Sequence, residues 1–297
     1  MFKRKTQARQ RALFILLFLL PASTLYGVFV LLPLGQALVF SLYRWRGVSE
    51  HRVFVGTENF RRLFGDPVFW DALGHNLILL IFAGGVIIIL ALAIAHAMRS
   101  RGKLLRSVYL FPQVMSLVVV AILWTFIYNP TFGLLNGALR ELHIGAHTIA
   151  WLGNSSTALA AVAIAYIWQA LGFYTMLLSA GIQTIPGEVL EAARLDGAEG
   201  LTLLRRITLP MLWAVLRVAI IYLAISTLNI FALVFLMTAG GPDRHTEVML
   251  TYLYEQAFTN SDFGYATALA IANLVIVMAI SGVILGVFGR NPQESRK

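Results

Sequence analysis

The 297-residue chain contains no cysteine, which excludes disulfides, thiol nucleophiles and Cys-ligated metals. Charge is scarce: 12% of residues are Asp, Glu, Lys or Arg, against about 25% in ordinary soluble domains. There is no internal repeat, low-complexity tract or Gly-x-x-x-x-Gly-Lys-Ser/Thr segment, so the chain has no P-loop for ATP. The six His residues show no paired ligand spacing, and no catalytic or metal-binding constellation stands out. No carboxylate lies deep in an apolar run, which weakens the case for a proton- or sodium-driven carrier, where acidic residues sit near the bilayer midplane.

What the chain has instead is apolar length. It is 59% hydrophobic, and a bilayer core about 30 Å thick needs about 20 apolar residues per helix. Six runs meet that need, at about 12–43, 77–97, 107–128, 158–185, 212–237 and 263–289. They predict one all-α integral membrane domain over 12–289, with a basic terminus at 1–11 and a short tail at 290–297. The first run, Ala12–Tyr43, exceeds one span and holds Pro21 and Pro33, so tilt, a kink near Pro33 or an interfacial turn is expected. Its length also argues for a retained helix over a cleaved signal peptide, whose apolar core is about 7–15 residues.

An even number of spans puts both termini on one side. The N-terminus, the 99–106 turn, the 186–211 loop and the C-terminus together hold fifteen Lys/Arg and five acids; the opposite loops hold seven and nine. The positive-inside rule makes the first set cytoplasmic. The formal charge of +9 thus reflects topology and lipid contact rather than a nucleic-acid face. On the outer side, Gly133–Glu141 and Thr246–Phe258 read as short amphipathic segments, and Trp45, Trp70, Trp124 and Trp151 as interface-belt aromatics.

One stretch, Glu191–Pro210 (EAARLDGAEGLTLLRRITLP), is a charged island between apolar runs. Pro186 suits a helix start, with Glu188 and Glu191 in the first turns, where negative charge complements the helix dipole. Gly197 stands where a left-handed cap would end that helix, and Leu201–Thr208 reads as a second helical stretch. A solvated connector with ordinary caps would look similar. The loop is nevertheless long for a helix–helix connection, and it mixes exposed apolar and charged positions as a docking surface does.

In residue type and spacing, Glu191-Ala192-Ala193, Asp196-Gly197-Ala198 and Ile207-x-Leu209-Pro210 resemble the EAA loop of binding-protein-dependent ABC importer permeases, with Leu204 where an aromatic is commoner. Thr238-Ala239-Gly240-Gly241-Pro242, Thr246, Tyr252-x-Tyr254, Ala257-Phe258 and Gly264-Tyr265-Ala266 resemble the sugar-permease group, similar to its maltose-type (MalF-like) and glycerol-phosphate (UgpA-like) members. Phe54-Val55-Gly56-x-x-Asn59-Phe60, Phe69-Trp70 and Asn76 fit the same group. The extra N-terminal helices and large outer domain of maltose-type subunits have no counterpart here.

The resemblance implies a type I importer permease in the bacterial plasma (inner) membrane, multi-pass, with both termini cytoplasmic. It implies a homologous second permease, an ATPase dimer that binds ATP-Mg, an extracytoplasmic solute-binding protein and no cofactor on this chain. Glu191, Ala192, Ala193, Asp196, Gly197 and Ala198 would form the ATPase-coupling element: Glu191 pairs with a basic residue, Gly197 makes the turn and the alanines allow close packing. For the substrate path, polar residues inside spans are costly and face cavities or neighbouring helices. Tyr166, Gln169 and Tyr174 in span four and Ser226 and Asn229 in span five are candidates, alongside Tyr222, Thr227 and Asn273. Each could equally be interhelical glue. Uncharged hydrogen-bonders beside rings suit a sugar. Glycerol-3-phosphate, a stand-alone secondary carrier and a membrane scaffold remain alternatives.

Overall fold

The computed structural model describes residues 2–97, 110–143 and 148–289, and it is helical nearly throughout. It divides into two units, 1–65 with 255–272 and 66–254 with 273–297.

In the first unit, α1 (Phe2–Tyr26) passes through a wide π turn (Gly27–Leu31) into α2 (Leu32–Phe40). Pro33 has no N–H to give the preceding turn, and the ladder shifts register there, with Leu32 N–H donating to the Gly27 carbonyl. The expected disturbance near Pro33 is therefore a widened turn just before it. From Phe14 to Phe40 the helix is apolar all round and unburied, a surface suited to lipid and not to water. A small hairpin follows, β1 (Tyr43–Arg44) antiparallel to β2 (Val53–Phe54) with Tyr43 opposite Phe54, then α3 (Glu58–Phe64). Buried Asn59 binds this turn together, donating to the Ser41 and Tyr43 carbonyls at 2.8 and 3.0 Å.

The second unit opens with α4 (Pro67–Ile78), a π turn (Leu79–Ala83) and α5 (Gly84–Ala97). The helix starts ten residues before the expected 77, because Asp66 caps it by accepting the Val68 N–H at 3.0 Å and Pro67 takes its first position. Span three is met from 110 onward, residues 98–109 of its approach and the basic turn lying outside the described residues. It is not one helix: a turn at 110–114 is followed by an interruption, and Ser116 caps α6 (Leu117–Ile127). The outer segment expected at 133–141 is α7 (Leu134–Glu141). Its Asn136 is buried, donating to the Ile149 carbonyl and accepting from the Trp151 indole, so Trp151 is anchored by the chain itself.

Next come α8 (Ala158–Gln183), α9 (Gly187–Leu195), α10 (Gly200–Leu203), a π turn (Leu204–Thr208) and α11 (Leu209–Met211). Span five, expected at 212–237, is not one helix. It is α12 (Trp213–Leu228), an interruption, and α13 (Ala232–Met237). Asn229 is the C-cap of α12, its side chain and its backbone N–H both donating to the Ile225 carbonyl, at 2.8 and 3.1 Å. Phe231 then leaves helical geometry at φ −136°, ψ −67°. The segment expected at 246–258 becomes α14 (Met249–Tyr254) and a π turn (Glu255–Thr259), and α15 (Phe263–Phe288) closes the chain.

Among the described residues four helices are long and apolar enough to span a bilayer, with a fifth if Gly200–Met211 and Trp213–Leu228, bent by 79°, count as one. In the second unit α5 packs extensively against α8. Both bury small residues there, Ala91 and Ala95 on one and Ala161 and Ala165 on the other, which permits close backbone approach. At one end of the unit, Trp213 and Arg217 donate to the Phe288 and Gly289 carbonyls, fastening the start of α12 to the end of α15.

Candidate functional site

Two interruptions meet at one cavity of about 400 Å³. Gln113 and Leu117 flank the break in span three; Asn229, Ile230, Phe231, Ala232 and Leu233 are the break in span five. Irregular backbone at membrane depth is tolerated where it lines a cavity or is buried in protein. The remaining wall comes from α8 (Tyr166, Gln169, Ala170, Phe173, Tyr174) and α12 (Tyr222, Ser226). All five predicted pathway residues, Tyr166, Gln169, Tyr174, Ser226 and Asn229, thus face a common space.

They face it with different freedom. The Tyr166 hydroxyl is held by Thr227 Oγ1 at 2.8 Å and is buried. Asn229 donates to the Ile225 carbonyl and accepts from Asn273 at 3.0 Å, so Asn273 acts as a brace. Gln169 makes a looser amide contact, 3.3 Å, with Gln113. Three rings, Phe173, Tyr174 and Tyr222, pack with centroids 5.1–6.4 Å apart, and Phe231 stacks on Phe235. No lining residue carries a formal charge. The wall can offer amides, hydroxyls and ring faces, which suits a neutral polyhydroxylated ligand. Gln113 is a residue that sequence reasoning missed; an amide beside Pro112 inside an apolar run was the available signal.

The charged island forms a helix–turn–helix. α9 buries Leu190 and Ala193 and leaves Glu188, Glu191, Ala192, Arg194 and Asp196 exposed, with Leu195 90% exposed beside them. Gly197 takes φ +80°. The Ala198 N–H reaches the Ala193 carbonyl at 2.8 Å and the Gly197 N–H reaches that of Arg194 at 3.0 Å, a Schellman cap. A large apolar side chain held in the open among charges is what a partner surface needs.

The residues after span five tie themselves together. Thr246 Oγ1 meets Thr238 Oγ1 and the Gly241 carbonyl, both at 2.7 Å. Gly240 sits at φ +86°, and a Cβ there would lie 2.7 Å from the Glu247 carboxylate. That carboxylate is buried, paired with Arg244 at 3.1 Å and hydrogen-bonded by the Thr251 hydroxyl. Asn76 joins this turn to the fifth span, donating to the Thr227 carbonyl and accepting from the Met249 N–H, both at 2.9 Å. The Tyr252 hydroxyl donates to Asp66, the α4 cap, at 2.5 Å.

Residues 85–291 match the protein family described as binding-protein-dependent transport system inner membrane component. The probable ABC transporter permease protein YurN of Bacillus subtilis is 36% identical, with 94% of this chain and 97% of that protein covered. The diacetylchitobiose uptake system permease protein NgcF of Streptomyces coelicolor is 34% identical, covering 95% and 84%. Among solved structures, a bacterial alginate ABC transporter in complex with an alginate pentasaccharide-bound periplasmic protein shares the fold. Its TM-score is 0.79 at 24% identity, covering 94% of each chain.

Proposed function

Because the chain belongs to the binding-protein-dependent transport system inner membrane components, we propose that it is the permease subunit of an ATP-driven importer moving a sugar or oligosaccharide into the cytoplasm. The observation that carries the substrate class is the uncharged, aromatic-walled cavity lined by Gln113, Gln169, Ser226 and Asn229. Sugar hydroxyls need neutral partners, and their C–H faces stack on rings. The diacetylchitobiose relative and the alginate transporter support a saccharide, and glycerol-3-phosphate is not needed to explain a wall without a cation.

The subunit has six spans in the bacterial plasma membrane with both termini cytoplasmic, and it pairs with a homologous permease. It is a transport component and not an enzyme: ATP-Mg is bound and hydrolysed by two copies of a separate ATPase. Each ATPase receives one helix of the α9 type, with Glu191 toward a basic residue, Leu195 offered as apolar contact and Gly197 setting the turn. ATPase closure drives the two permeases between inward- and outward-open states as rigid bodies. A solute-binding protein delivers substrate outside.

The test is uptake of labelled oligosaccharides by the reconstituted complex. Gln169→Leu is expected to raise the half-saturating sugar concentration about two- to tenfold, a lost hydrogen bond being worth about 0.5–1.5 kcal/mol. Uptake that ignores both ATP and this substitution would overturn the reading.

A further inference from the structure

The 44–75 loop departs from its setting. It holds five of the seven Lys/Arg assigned to the outer side, where short loops are depleted of them. The first unit accounts for three. Arg44 pairs with Glu58 at 2.6 Å, Arg62 pairs with Asp262 at 2.6 Å and lies 4.0 Å above the Tyr265 ring, and Arg52 stacks on Phe40 and Trp45. Arg46 is exposed and has no ion-pair partner among the described residues.

Arg46, Arg44 and Arg62 line one cleft of about 570 Å³ within this unit, with His51 beside them and Glu58 and Asp262 as the acids. Three guanidinium groups face two carboxylates, leaving a net positive cleft with a free arginine. Val48 and Phe54, on the same hairpin, are 93% and 65% exposed. Arginine with exposed aromatic and aliphatic side chains is the composition of a protein-binding patch. The two built-in carboxylates make the cleft a poor seat for a phosphate sheet, because they would repel it.

We propose that this cleft is where the extracytoplasmic solute-binding protein docks, setting an acidic side chain of its own against Arg46 while Val48 and Phe54 make the apolar contact. The proposal rests on the importer reading and adds to it the place and chemistry of delivery. Arg46 belongs to the rim of such a contact, where charge governs encounter and salt dependence more than the final complex.

The test uses the assembled transporter in nanodiscs and the binding protein whose addition stimulates its ATP hydrolysis. Arg46→Glu is expected to raise the half-saturating concentration of binding protein about tenfold and to leave the rate at saturation in place, with Arg46→Lys recovering most of the loss. The wild-type half-saturation point should climb as salt rises from about 50 to 300 mM, and that slope should flatten in Arg46→Glu. Equal half-saturation in the wild type and Arg46→Glu would overturn the proposal, as would an effect that follows the anionic lipid content of the nanodisc. Absence of any stimulating binding protein, together with absence of uptake, would instead sink the importer reading beneath it.

Discussion

Asn76 is fully buried in α4, where one amide serves the end of α12 and the start of α14 at once. Asn76→Leu keeps the branched four-atom skeleton and strands the Met249 N–H, a loss of about 1–3 kcal/mol. Thermal unfolding of the detergent-purified subunit should shift down accordingly, and an unchanged curve would show the tie to be idle. Gly197 poses a different demand: its φ of +80° is closed to proline, whose ring holds φ near −65°. Gly197→Pro should insert normally, yet lose transport and co-purify poorly with the ATPase; normal transport would sink the coupling role of α9. At this scale the sequence announced Gly197 through its place after a run of helix formers, and Asn76 through the family pattern alone. What Asn76 does was unreadable, because its partners lie 151 and 173 positions away.

Among elements, α8 and α15 were readable from apolar length, and the turn after α9 from cap chemistry. The interruptions at 115–116 and 229–231 were not, since neither break itself holds a charge, a glycine or a proline, lone polar residues of the same kind as Ser116 and Asn229 also occur within unbroken spans, and mean hydropathy carries no record of a missing hydrogen bond. The hairpin β1–β2 escaped too; its strands are two residues each, too short for any alternation to register. The break in span five has a measurable signature. The first amides of α13 lack partners one turn earlier, so a peptide over 229–234 should exchange hydrogen for deuterium well before α8 and the middle of α12. Equal protection across the break would mean a continuous helix in the membrane. The five candidate residues stand out because polar side chains inside apolar runs are conspicuous; their differing freedom depends on Thr227, Asn273 and Gln113, which only packing reveals.

For the whole molecule, the two ends of the second unit are tied separately, Trp213 and Arg217 to the close of α15 at one and Asn76 to Met249 at the other. The charge count expects the loops to alternate between the two sides of the membrane, and the absence of cysteine makes that expectation simple to test. Val48→Cys should react with a membrane-impermeant maleimide in intact cells, and Thr202→Cys only after permeabilisation. The reverse pattern would invert the topology and remove the outer cleft from the binding protein's reach.

The turn that follows α13 has one more implication. Gly240, Thr246 and Glu247, which belong to the pattern that marks the family or sit against it, are held among themselves and their neighbours, Asn76 bridges Thr227 and Met249, and none of the four lines the cavity. A change of side chain in the wall, at Gln113, Gln169, Ser226 or Asn229, therefore leaves the hydrogen bonds of that turn in place, so the lining and the frame behind it are separable in a series of substitutions.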